Sequence, residues 1–273
     1  MTEEKMTLID HLDELRKRAI RILIGAFIGT IVGYYCYDLW ILNLLKGPLD
    51  ALGGVSDNPF VFNNPLLQFL KQPADQAQNL RLDLHFIGPL EVFMMKLKVS
   101  FFAGILMASP YIFYQVWAFV AAGLTEKERK MVNVFVPASV ILFFIGCAFA
   151  YFLVLPVTLY FLVVVCANGL VPMLIISKYV TLVVVCCAAF GIVFEIPLII
   201  LFLTKLGIVS PMFLAQKRKY AILVMVTLAA ILTPTTDVVN LALMSVPMIV
   251  LYETSIWLSR LAWRRRQARS TTG

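Results

Sequence analysis

Charge is what this sequence has least of. Only 14% of its 273 residues are charged, while 61% are hydrophobic. Soluble domains carry about 25% charged residues, so an ordinary water-soluble fold is excluded. Histidine is nearly absent: His11 and His85 stand in no HExxH or paired-cysteine setting, which removes the common zinc-hydrolase signatures. No P-loop and no G-x-S-x-G pattern is present, so neither a phosphate cradle nor a nucleophile elbow is available. Nothing points to an enzyme, a metal or a cofactor. The cysteines are few and odd in number: Cys36, Cys147, Cys166, Cys186 and Cys187 all lie in or beside apolar runs. They read as small hydrophobes, not as a disulfide framework. Alternating polarity in ~10-residue pieces, the mark of a membrane β-barrel, is missing. The first 18 residues are charged and no small-residue cleavage site follows, so no cleavable signal peptide is expected. No repeat relates the two halves, which argues against an inverted-repeat transporter.

What is present is a series of apolar runs of about 20 residues, each able to cross a hydrocarbon core of ~30 Å. The fold class is therefore an all-α polytopic membrane protein forming one domain over 1–273. Residues 1–18 form an amphipathic cytosolic helix, with Leu8, Leu12, Leu15 and Ala19 on one face and His11, Glu14 and Arg18 on another. Spans are expected at 19–39, 91–119, 132–155, 178–204, 220–232 and 238–258, six in all, the fifth and sixth short. Lys219 to Pro234 leaves the fifth only ~21 Å at 1.5 Å per residue. Residues 40–90 make a first outer loop with short interfacial helices. Pro156 is expected to end the third span. Residues 157–177, interrupted by Asn168, Gly169 and Pro172, read as a second outer loop or cap, and 259–273 as a basic cytosolic tail.

Charge sets the orientation. One side collects Lys5, Arg16, Lys17, Arg18, Arg21, Lys127, Arg129, Lys130, Lys205, Lys217, Arg218, Lys219 and the arginines of the tail, whereas the other has only Lys46, Lys71, Arg81 and Lys178. By the positive-inside rule both termini are cytoplasmic. The net charge of +7 thus reports topology and not nucleic acid.

Residues 114–130, YQVWAFVAAGLTEKERK, form the corner around which the chain is organised. An apolar run ends there, with Trp117 and Phe119 expected at headgroup depth. Thr125 and Glu128 have capping-box spacing, so a helix starts at that point. Glu128 reads as the N3 residue of that box, and Glu14 as the i,i+4 partner of Arg18. Deeper in the membrane, Glu195 sits ~15 Å from the inner end of its span, where a charge costs ~2.5–3.5 kcal/mol. It either fastens two helices or offers a polar site to a cavity or partner helix, with Pro197 releasing nearby carbonyls. Lys98 can snorkel to the outer surface, and Asp237 caps the last span or serves a polar role. Read alone, Glu195, Asp237 and Lys98 are also compatible with a secondary transporter using a proton or substrate relay.

The stretches themselves resemble a known family. HLDELRKR at 11–18, Gly47-Pro48-Leu49, PLEVFMMKLKVS at 89–100, ASPYIFYQVWAFVAAGLTEKER at 108–129, AFGIVFEIP at 189–197, LTPTTD at 232–237 and VPMIVLYE at 246–253 resemble, in order, the signatures of the TatC family, the core receptor of the twin-arginine protein translocase. Two departures are Ala122-Gly123 where the family often has ProGly, and ProThrThrAsp at 234–237 followed by Leu241 where it usually has Pro-Pro-Asp and a glutamine; Asn240 stands beside that position. The resemblance implies a non-enzymatic receptor in the bacterial inner membrane that binds the twin-arginine signal peptides of folded cargo. It implies assembly with TatA-like and TatB-like single-span partners, in hetero- and homo-oligomers, with transport driven by the proton-motive force. It implies Glu14, Arg16, Phe119 and Glu128 as the signal-peptide site, Glu195 and Lys98 as intramembrane polar positions alongside Asp237, and Pro48 as a structural proline of the outer loop.

Overall fold

The computed structural model describes residues 8–37, 42–53, 84–162, 173–233 and 238–270. They divide into two compact units, Met1–Ile41 with Phe93–Ile141, and Leu42–Val92 with Leu142–Gly273. Helix dominates: α1 (Leu8–Cys36), α2 (Leu42–Gly53), α3 (Pro89–Ala122), α4 (Glu126–Phe149), α5 (Leu155–Tyr160), α6 (Ile176–Val193), α7 (Ile196–Leu206), α8 (Pro211–Gln216), α9 (Arg218–Leu232) and α10 (Val238–Ser270). Among the described residues five segments are long and apolar enough to cross a membrane, namely His11–Cys36, Pro89–Ala122, Glu128–Tyr160, Ile176–Leu206 and Val238–Arg264. Large apolar side chains are exposed along them, Leu23 and Phe27 by more than 60%, a surface that requires hydrocarbon around it.

In the first unit the amphipathic start and the first span are one helix. No proline interrupts residues 8–36, so α1 runs 29 residues, roughly 44 Å. Its Gly25, Gly29 and Gly33 recur every four residues and face α3. A Cβ added at Gly29 would fall 2.4 Å from the Gly104 carbonyl oxygen, and one at Gly104 2.3 Å from the Thr30 nitrogen. The two backbones therefore touch directly, the small-xxx-small packing that replaces hydrophobic drive inside a bilayer. In α3, Pro110 cannot donate to the Leu106 carbonyl, and the Ser109 hydroxyl donates to it instead at 2.8 Å. Trp117 does not lie open on the surface. It is buried, donates its indole N–H to Ser139 Oγ on α4 at 2.7 Å and leans on Phe135. A hydroxyl on the neighbouring helix satisfies the N–H, so the ring can be internal.

In the second unit Pro156 does not end the third span. A π-helical turn over Ala150–Val154 lets the Leu155 N–H reach the Ala150 carbonyl, and Pro156 then falls in the first turn of α5, where its missing N–H is tolerated. The helix continues to Tyr160, inside the stretch expected as an outer loop. The span expected over 178–204 is broken at Phe194 and Glu195: Pro197 has no N–H for the Val193 carbonyl, and α7 restarts with Glu195 as its N-cap. The last helix is not short. It runs 33 residues to Ser270, through the stretch expected as a tail, because its Arg, Gln and Ala residues are good helix formers and its positive charge suits a helix C-terminus. By contrast α9 has 15 residues, ~22 Å, and is short as expected.

Helix α10 packs most extensively on α7, where Thr204 and Ser259 share a buried hydroxyl–hydroxyl bond of 2.8 Å. Helices α4 and α6 also meet at glycine: a Cβ on Gly146 would lie 2.6 Å from the Phe190 carbonyl oxygen. Cys147, Cys186 and Cys187 pack there as buried free thiols. Helix α2 and the short strands are tied in by hydrogen bonds. Buried Pro48 lies inside α2 and cannot donate to the Leu44 carbonyl; the Tyr151 hydroxyl does so, while Tyr179 donates to Leu45 at 2.7 Å. Strands β1 (Leu84–His85) and β2 (Leu174–Ile175) pair in parallel, Leu84 opposite Leu174. Glu91 bridges the same region, accepting the Ile87 N–H on one oxygen at 2.7 Å and the Ser177 N–H on the other at 3.3 Å.

Candidate functional site

The first turns of α1 lie against the last turns of α3. The His11 ring stacks on Phe119 with centroids 4.6 Å apart and planes 25° from parallel. Two turns on, the Arg18 guanidinium donates to the Gln115 amide oxygen at 3.2 Å and pairs with Glu14 at 2.5 Å. Gln115 is buried, and the Arg18 and Glu14 side chains keep only 17% and 27% of their exposure. Residues 11, 14 and 18 fall at i, i+3 and i+7, one stripe of α1. Glu14 is thus a carboxylate already holding a guanidinium in a sheltered seam. Arg16 is on the far side of the helix, about 200° round from Glu14, and is exposed. The arginine that orients Glu14 is Arg18.

Glu128 is placed by the turn before α4. Its Oε2 accepts the Thr125 N–H at 3.2 Å and the Thr125 hydroxyl at 2.8 Å. The Glu128 and Arg129 amides bond to the Thr125 backbone carbonyl. This is half of the expected capping box: the carboxylate reaches back, but the threonine hydroxyl donates to it in place of accepting from the helix. A negative group in the first turn also suits the helix dipole. Both glutamates are therefore pre-oriented, each by partners within three or four residues, and the same unit holds Phe119 between them in sequence.

The remaining candidates scatter. Glu195 is buried at the α6–α7 break. Lys98 is exposed on α3; it is Lys96 that lies over rings, 4.8 Å from Tyr34 and 5.0 Å from Tyr37. Pro48 is buried in α2. Asp237 lies outside the described residues. What sequence reading missed at the corner is the His11–Phe119 stack and the Arg18–Gln115 bond. The available signals were the shared stripe of His11, Glu14 and Arg18 and a glutamine inside an apolar run.

Against known proteins, the profile of the family described as Sec-independent protein translocase protein (TatC) matches residues 10–247. The chain belongs to the TatC family. Full-length relatives agree. The TatC of Carboxydothermus hydrogenoformans is 38% identical over 95% of each chain, and TatCy of Bacillus subtilis is 35% identical over 99% of this chain and 95% of its own. A crystal structure of the twin-arginine translocase receptor TatC superposes with a TM-score of 0.75 at 31% identity, covering 92% of this chain and 99% of that one. TatC membership makes this chain a component of a protein-transport machine that works with other Tat subunits. The match begins one residue before His11 and takes in every corner residue described above.

Proposed function

We propose that this chain is the receptor subunit that binds twin-arginine signal peptides of folded proteins at a cytosolic face built by α1, α3 and the start of α4. The observation that carries the reading is Glu14. It is sheltered, it already accepts a guanidinium from Arg18, and Gln115 stands ready to keep Arg18 when another arginine arrives. An incoming arginine presents the same planar fork, which a carboxylate accepts bidentately and a lysine ammonium cannot reproduce. Glu128 offers the second carboxylate, and the His11–Phe119 stack an apolar surface for the residues that follow the arginine pair. Arg16, exposed on the opposite side of α1, adds to the local field without touching Glu14.

The full reading has six spans, α9 being the short one, with both termini in the cytoplasm of a bacterium and the chain in its inner membrane. TatA-like and TatB-like single-span proteins are the partners, and Glu195 serves as a polar contact for their helices. Lys98 and Asp237 are the further polar positions assigned with it. The subunit supplies recognition and scaffolding, and the proton-motive force drives transport.

The test is a signal peptide carrying a photo-reactive residue beside its two arginines, incubated with membranes containing the chain. Adducts should map around Glu14 and Glu128, vanish for a Lys-Lys peptide and weaken in Glu14→Gln. Adducts of equal yield with Arg-Arg and Lys-Lys peptides would overturn the reading.

A further inference from the structure

A site of the opposite charge lies in the other unit. An open pocket of about 610 Å³ is lined by Ser210, Pro211, Met212 and Ala215 from one side of the sequence and Arg260, Trp263 and Arg264 from the other. Its position is set by packing: the Ser210 hydroxyl caps α8 by accepting the Phe213 N–H at 3.2 Å, and the Tyr252 hydroxyl pins α8 to α10 through the Leu214 carbonyl at 2.9 Å. Arg260 and Arg264 are one turn apart, so both guanidiniums address one volume. No carboxylate lines the pocket. The nearest acid along α10, Glu253, is held by Arg218 at 2.9 Å.

The pocket stands at the membrane boundary, because the apolar segments Ile176–Leu206 and Val238–Arg264 both end at it. Exposed apolar side chains adjoin it. Met212, which lines it, is exposed by 72%, its chain neighbours Ile208 and Phe213 by 68% and 51%, and Trp263 is an amphipathic ring of the kind that settles at headgroup depth. Two guanidiniums above exposed apolar side chains match an anionic headgroup attached to acyl chains. We propose that this pocket binds an anionic phospholipid, its phosphate across Arg260 and Arg264, the Ser210 O–H as a further donor, and its chains along Met212 and Ile208. This occupant stands apart from the signal peptide, and its test contains none, so the two readings fail separately.

The experiment is lipid retention by the intact chain in detergent, read by native mass spectrometry with dioleoyl-phosphatidylglycerol and, as the zwitterionic control, dioleoyl-phosphatidylcholine. Phosphatidylglycerol should be retained preferentially. Arg260→Gln with Arg264→Gln should lower its apparent affinity roughly 30-fold and each single change roughly fivefold, whereas Lys217→Gln with Lys219→Gln, an equal loss of charge outside the pocket, should leave it unchanged. The single variants decide the matter where the double does not purify as a monodisperse species. Equal retention of the two lipids, equal losses in the arginine and lysine variants, or displacement of the lipid by excess inorganic phosphate would each overturn the proposal.

Discussion

Glu128→Gln separates two roles that one side chain fills. In the fold, Glu128 Oε2 accepts the Thr125 N–H and hydroxyl. A glutamine carbonyl oxygen occupies the same position and accepts both, so the cap survives. Only the interaction of the negative charge with the helix start is lost, about 0.3–1 kcal/mol. At the peptide the loss is larger. A hydrogen bond to a charged group contributes about 1.5–3 kcal/mol, so affinity for an Arg-Arg peptide should fall roughly 10- to 150-fold, and the preference over Lys-Lys should shrink with it. Thr125→Ala is the complementary change. It removes the hydroxyl that donates to Glu128 and costs about 0.5–1.5 kcal/mol of stability, the worth of one hydrogen bond, yet leaves the charge in place. The assay is fluorescence anisotropy of a labelled signal peptide on the reconstituted chain, with a thermal melt of each variant beside it. Full-strength binding by Glu128→Gln would refute the electrostatic argument. So would equal losses of binding in both variants, because then the cap alone would account for the effect.

Gly29→Ala should destabilise the chain by about 1–3 kcal/mol, since the added Cβ meets the Gly104 carbonyl oxygen at 2.4 Å and neither backbone can yield; a melting curve in detergent reads this directly. Tyr151→Phe should cost about 1 kcal/mol by removing the donor that serves the Leu44 carbonyl across from Pro48, seen as a lower melting temperature with unchanged peptide binding. Glu195→Ala should reduce disulfide crosslinking to single-span partner helices while leaving signal-peptide anisotropy intact; unchanged crosslinking would remove Glu195 from the partner surface.

Much of this chain was legible because its physics is one-dimensional. Apolar length and the scarcity of charge dictate helices in a bilayer, whatever those helices touch. The Thr125–Glu128 pair and the Glu14–Arg18 pair are local contacts, set by spacing within a turn, and both appear where spacing places them. The stretches from His11 to Glu253 carried the family resemblance because each is a short contiguous string that can be read without knowing what it packs against. Proline misled, because its consequence depends on what replaces the lost hydrogen bond. Pro156 is absorbed by a π turn, Pro48 by a tyrosine from another helix and Pro110 by its neighbour Ser109, whereas at Pro197 the helix does break.

By itself, then, the sequence determined the solvent, the helices, their polarity pattern and the two glutamates. Only tertiary structure decided their surroundings. It gave Arg18, already the i,i+4 partner of Glu14, a second anchor in the buried Gln115 amide, because α3 lies against that stripe of α1. It drew Trp117 inside, because the Ser139 hydroxyl is there to accept the hydrogen bond of its indole N–H. It also brought Arg260 and Arg264 over Ser210 and Met212, some fifty residues away in the chain, since a pocket of two elements exists only after they pack.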